Sequence, residues 1–130
     1  MLGRLLLTVD AIGMCVGTLK ADFFNESHMY NPHWPPHAKF HNVQTITLAV
    51  ILSFITLYYT WRPAQTLELH REFMFTSSIT GSIYWLAGLI SILPSGTMGL
   101  DPEFGGPGFP QRYFFITLMS FGLLGAWLEY

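Results

Sequence analysis

Four of the five histidines in the chain, His28, His33, His37 and His41, are crowded into one polar stretch between Asp22 and Gln44, with Glu26 and the amides of Asn25, Asn31 and Asn42. Pro36 suits the first position of a helix, where its fixed φ and missing N–H cost nothing. His37 and His41 then stand one turn apart on a single helical face. Such a pair can chelate a metal ion when a third group joins it, and His33 is the nearest imidazole able to do so. Imidazole nitrogens with carboxylates nearby suit one zinc, iron or copper ion better than calcium or magnesium. Without a metal the same residue types do acid–base work. His37, His41 and His28, with Asp22, Glu26 and the more distant Asp10, can pass a proton to or from a substrate near neutral pH. Asn25, Trp34, Asn42 and Gln44 offer amide and indole groups to hold that substrate's polar atoms. A third reading makes the histidines structural, satisfying loop carbonyls at a polar boundary. The residue types leave all three open.

The segments that must position these groups are apolar. Charged residues make up 11% of the chain and apolar ones 51%, against roughly 25% and 45–50% in an average soluble domain. So little charge cannot coat a water-facing exterior but fits one that faces lipid. Runs of roughly 20 apolar residues, enough to cross about 30 Å of hydrocarbon, occur at about 2–20, 40–60, 73–93 and 113–128. The expected fold is all-α: a single domain forming a multi-pass integral membrane four-helix bundle with two long loops on one face. That face receives the histidine stretch and the Gly/Pro-rich loop 94–112, whose Asp101 and Glu103 can join the site. A loop of that length suggests a shaped lid. Orientation does not follow, because Arg4, Arg62 and Arg71 on one side balance Lys20, Lys39 and Arg112 on the other.

Asp10 interrupts the first span about 16 Å from Ala21 at helical rise, near mid-membrane. An ionised carboxylate there costs roughly 2.5–3.5 kcal/mol on insertion scales, so it should face the bundle, be paired or be protonated. It is read either as a functional carboxylate below the histidines or as a partner for Ser and Thr of a neighbouring helix. Small-residue stripes (Gly13, Gly17 and Ala21; Gly81, Gly88 and Ser91; Gly122 and Gly125) predict close helix approach. Glu68 and Arg71 read as solvated charges at the membrane edge.

Several functions are disfavoured. A net charge of −2 with no basic cluster offers nothing to nucleic acid. Gly-x-Ser-x-Gly, phosphate-cradling, dinucleotide and Cys-x-x-Cys patterns are absent. Cys15 alone cannot form an internal disulfide. The run from Met1 to Ala21 is read as a retained helix, since Asp10 breaks its core and Leu19-Lys20-Ala21 is a poor cleavage site.

The run Asn31-Pro32-His33-Trp34-Pro35-Pro36-His37-Ala38-Lys39-Phe40-His41-Asn42 has Asp22-Phe23, Asn25, His28 and Gln44 around it and Tyr58-Tyr59-Thr60-Trp61-Arg62 beyond. It resembles a small family of four-helix integral membrane proteins of unknown function, found mainly in fungi and in some bacteria. The resemblance implies a membrane-embedded bundle. Because some fungal members lie near natural-product genes, it also implies a lipophilic small-molecule substrate. The layout is similar to DoxX-like and sterol-isomerase-like groups as well, but their motifs do not match and no catalytic residue follows from them.

The expected function is a membrane enzyme that isomerises, cyclises or oxidises a lipophilic small molecule. Its pocket would lie at the loop end of the first two spans, centred on His37 and His41 and roofed by the loop before the last span. The alternatives are a transport or binding subunit, in which Asp10 and the histidines relay protons, and a non-catalytic accessory protein. The expected partners are the lipid bilayer and a lipophilic ligand, with no nucleic acid.

Overall fold

The computed structural model describes residues 1–130 and is entirely helical. Helix α1 (Leu2–Thr18) runs on as a π-helical turn (Leu19–Phe23), followed by α2 (Pro36–Trp61), α3 (Leu67–Ile90), a 3₁₀ turn (Pro102–Phe104) and α4 (Gln111–Glu129). The helices form a closed ring, with α1 packed on α2 and α4 and α3 packed on the same two neighbours.

Local chemistry explains where the helices depart from the apolar runs. Pro36 opens α2 at its first position, ahead of the run at 40. Thr66 caps α3, its Oγ1 accepting the Leu69 N–H at 3.1 Å, so α3 begins before the run at 73 and carries Glu68 and Arg71 in its first turns. At the end of α1, Thr18 Oγ1 donates to the Met14 carbonyl at 2.8 Å. Here the α-helical ladder gives way to wider π turns, which end with Phe24 N–H on the Leu19 carbonyl at 2.9 Å. Such π segments often mark functional positions.

Three segments, Leu2–Phe23, Pro36–Trp61 and Leu67–Ile90, are long and apolar enough to cross a membrane. α4 does not meet that measure, although a fourth span was expected at 113–128. Its polar ends, Gln111, Arg112 and Glu129, dilute a short apolar run.

The bundle is apolar outside and partly polar inside. Leu5, Val9, Ile12 and Val16 of α1 are each about half exposed, as are Leu48, Ile51 and Phe54 of α2. Asp10, Ser53, Thr56, Thr60, Ser77 and Ser82 are buried among Leu7, Met14, Met74 and Trp85. Hydroxyls join α2 to α3, with Thr56 donating to Thr80 at 2.8 Å and Thr60 to Ser77 at 3.3 Å. Close approach depends on glycine at the α1–α4 crossing. A Cβ on Gly125 would sit 2.7 Å from the Gly3 carbonyl oxygen, and one on Gly3 would collide with the Gly125 carbonyl.

The two long loops lock together over one end. Asn31, 1% exposed, accepts the His33 N–H on Oδ1 at 2.8 Å and donates through Nδ2 to Glu103 at 2.9 Å. Its turn chemistry and the loop–loop contact therefore come from one amide. Trp34 Nε1 adds a longer bond to Asp101 at 3.4 Å.

Candidate functional site

The π turn after α1 carries Asp22 to the loop end of the bundle, where the chain doubles back and brings His28 to face it. His28 Nε2 lies 3.8 Å from Asp22 Oδ1. That is beyond direct hydrogen bonding but close enough for strong electrostatic coupling. On the other side of the ring, Ser27 Oγ is 2.7 Å from Nδ1. When Ser27 donates there, the imidazole proton sits on Nε2 and points at the carboxylate. Trp34 packs edge-on against His28 with ring centroids 5.0 Å apart. Asn25 Oδ1 accepts the Ser27 N–H at 2.8 Å, and Asn42 Nδ2 donates to the Asp22 carbonyl at 3.4 Å. Three asparagines thus shape the backbone around the pair: Asn25, Asn31 and Asn42.

The pair opens onto a cavity of about 420 Å³ between the ends of α1, α3 and α4. Tyr84, Trp85, Gln111 and Phe115 form its walls with Asp22, Asn25 and His28, and Gly99 and Leu100 of the second loop lie across it. Gln111 Nε2 donates to the Gly99 carbonyl at 2.7 Å and so ties this roof to α4. With 25% and 29% of their side chains exposed, Asp22 and His28 reach water while still facing the cavity. An acid–base pair placed this way can exchange protons with solvent and deliver them to an apolar guest.

Trp85 is the cavity's floor and the lid of a second polar centre. Its Nε1 donates to Asp10 Oδ1 at 2.6 Å, and both side chains are buried. Phe114 and Phe115 hold the indole from two sides, each with centroids 5.5 Å away. Asp10 Oδ2 lies against Gly81, where a Cβ would collide with it, and 3.2 Å from where a Gly122 Cβ would be. Neither Oδ2 nor the nearby Ser82 Oγ has a hydrogen-bond partner. One of the two readings of Asp10 paired it with Ser and Thr of a neighbouring helix; the group that bonds it is an indole. Asp10→Asn keeps an acceptor for Trp85 and is expected to fold and melt much like the parent. Asp10→Ala leaves the buried indole N–H unpaired, an expected cost of about 1–3 kcal/mol. Thermal unfolding in detergent, followed by tryptophan fluorescence, separates the two.

The remaining sequence candidates lie elsewhere. His37 and His41 are exposed on the first turns of α2, with their Nε2 atoms 3.0 Å apart and His41 Nδ1 3.2 Å from Gln44 Oε1. They face each other and do not line the cavity that Asp22 and His28 border. Gln44 lines a separate groove between α2 and α3. His33 points at Glu103, Nδ1 to Oε2 3.5 Å, beside a third cavity of about 360 Å³ that also takes Glu26. The proposed ligand trio His37, His41 and His33 is thus divided between two places. No three His, Cys, Asp or Glu side chains converge to hold a metal ion. The physical reason is Asn31-Pro32, whose turn commits His33 to the second loop while Pro36 starts α2 in another direction.

Sequence reasoning missed Tyr84, Trp85 and Gln111. One signal was present: an intramembrane carboxylate needs a donor at similar depth on a neighbouring helix, and Trp85 is the N–H donor that α3 offers there.

Comparison with curated proteins and with solved structures gives no match. Over residues 6–130 the chain matches the model of a family of unknown function (DUF6640), and it belongs to that family.

Proposed function

We propose that the chain is a multi-pass integral membrane protein that isomerises or cyclises a lipophilic small molecule by proton transfer, with Asp22 and His28 as its acid–base pair. The membrane part is supported by three long apolar helices and by large apolar side chains facing outward from them. α4 joins them as a fourth span in this reading, since its 19 residues cover about 28 Å at helical rise.

The observation that carries the chemistry is the Asp22–His28 pair, 3.8 Å apart at the edge of an aromatic-lined cavity. One member donates a proton to a double bond or carbonyl of the substrate, and the other removes a proton from a neighbouring carbon. The substrate's formula is unchanged, and the two groups recover their protonation states through water at their exposed edges. Asn25, Tyr84 and Gln111 hold the polar atom of the substrate, and Trp85 and Phe115 pack its apolar body. Asp22 and His28 are the catalytic residues, and Trp85 is positioned by Asp10.

A test uses the protein in lipid nanodiscs, incubated in D₂O with extracted membrane lipids and lipophilic natural products. Mass spectrometry would then look for carbon-bound deuterium. Incorporation by the parent and its loss in Asp22→Asn are the expected results; incorporation that persists in Asp22→Asn overturns the assignment. A proton-relaying binding subunit is the second reading, supported by the unpartnered Oδ2 of Asp10. In that case Asp10→Asn, and not Asp22→Asn, abolishes function.

A further inference from the structure

The acid–base cavity does not stand alone. A larger groove of about 740 Å³ runs between α2 and α3, and Tyr84, Gln111 and Phe115 line both spaces. Its far end is bounded by Leu48 and Leu52 of α2 and Ile83 of α3, while its loop end carries Gln44, Thr45, Thr97 and Gln111. Ile92, Met98 and Phe109 line it too, so its wall is mostly apolar with a few polar groups. Gly88 lets the Phe115 ring pack close against α3, because a Cβ there would lie 2.6 Å from that ring. Leu48 and Ile83 are each about half exposed, so the groove opens on the apolar exterior as well as towards the loops, where Thr97 and Met98 are exposed. Leu48 and Leu52 stand one turn apart on α2, as do Ile83 and Ala87 on α3. The walls of the groove thus follow the helix axes, and its shape is elongated.

We infer that the substrate is a linear amphiphile, a long apolar chain ending in one uncharged hydrogen-bonding head. It enters sideways from the bilayer between α2 and α3, its head reaching the Asp22–His28 cavity and its chain lying in the groove. This rests on the acid–base reading of that cavity and names the class of molecule it acts on. The head has to pass Tyr84 and Gln111, which line both spaces and whose hydroxyl and unpartnered amide oxygen offer it hydrogen bonds. Each of the two spaces suits part of such a ligand, since pockets of roughly 300–1,000 Å³ take drug-sized molecules. The specificity expected is for a small head and a flexible chain, and a rigid fused-ring body is disfavoured.

Photolabelling of the intact protein in nanodiscs tests this without needing turnover. The probes are long-chain primary alcohols with a diazirine either beside the hydroxyl or at the methyl end. Head-labelled probe is expected on peptides containing residues 22–28 or 111–115, and tail-labelled probe on those containing 48–52 or 83–87. The reversed pattern, even labelling over all outward-facing helix surfaces, or no labelling overturns the inference. Ala87→Phe fills the groove while leaving the acid–base pair in place, and it is expected to weaken tail labelling by at least about tenfold. Unchanged labelling in that variant overturns the inference as well. Asp22→Asn is expected to label like the parent. A correct labelling pattern with deuterium incorporation that survives Asp22→Asn refutes the acid–base reading alone. A wrong pattern with incorporation lost in Asp22→Asn refutes the amphiphile alone.

Discussion

Asp22→Asn and His28→Gln are each expected to slow solvent-deuterium incorporation into the substrate by roughly 10²–10⁴-fold, and the double variant to be little worse than the slower single. The non-additivity follows from geometry. The two groups face each other across 3.8 Å, and in the proposed mechanism they serve one proton circuit, so removing either breaks it. Both substitutions are close in shape to the originals, and neither side chain is buried in the bundle, so folding is expected to survive. The contrasting control is His37→Ala with His41→Ala. These rings are exposed, bond to each other and lie outside the cavity. Their loss is expected to leave the incorporation rate close to that of the parent. Additive losses from Asp22 and His28, or an inactive His37/His41 variant, would move the reaction centre elsewhere.

The second large effect is on stability. Gly125→Leu is expected to destabilise the bundle by about 3 kcal/mol or more, the upper part of the range for overpacking. Even the first added carbon would meet the Gly3 carbonyl oxygen at 2.7 Å, and the obstacle is backbone that cannot change rotamer. α1 and α4 would have to separate. Gly13→Ala places its methyl at a similar 2.7 Å, but from the Leu118 Cδ1 at the end of a mobile side chain. That variant is expected to be near neutral, because alanine's helix preference, worth about 1 kcal/mol, offsets the repacking. Thermal unfolding of the two purified variants in the same detergent gives the comparison.

The helices were legible because apolar runs of membrane length leave few alternatives, and Pro36 marked its helix start outright. Of the candidate residues, the structure brings Asp22 and His28 together at a cavity and leaves His37 and His41 outside it. His37 and His41 were favoured for their helical spacing, which correctly places them on one face. Spacing says nothing about which way that face turns, and it turns outward. Asp22 and His28 lie six positions apart with no helical relation, and they meet only because the ladder widens after Thr18 and the chain turns back. The inward direction of Asp10 could be read from the cost of exposing it to lipid. Its partner required knowing that α3, and not α2, presents Trp85 at that depth. Tyr84 and Gln111 gave no sign in isolation, since one lies in the middle of an apolar run and the other just ahead of the last one.

The locked loops have a further meaning when the chain is divided at the short connector between α2 and α3. The first half supplies Asp22, His28 and the asparagines that shape their backbone; the second supplies Trp85, Tyr84, Gln111 and the roof. The two hairpins are joined across the top by the Asn31–Glu103 clasp. In the proposed mechanism the reactive pair comes from the first hairpin alone, while both hairpins contribute to the walls that select the substrate. On that proposal, substitutions along α3 and α4 are expected to change which molecule is admitted while the acid–base pair stays as it is.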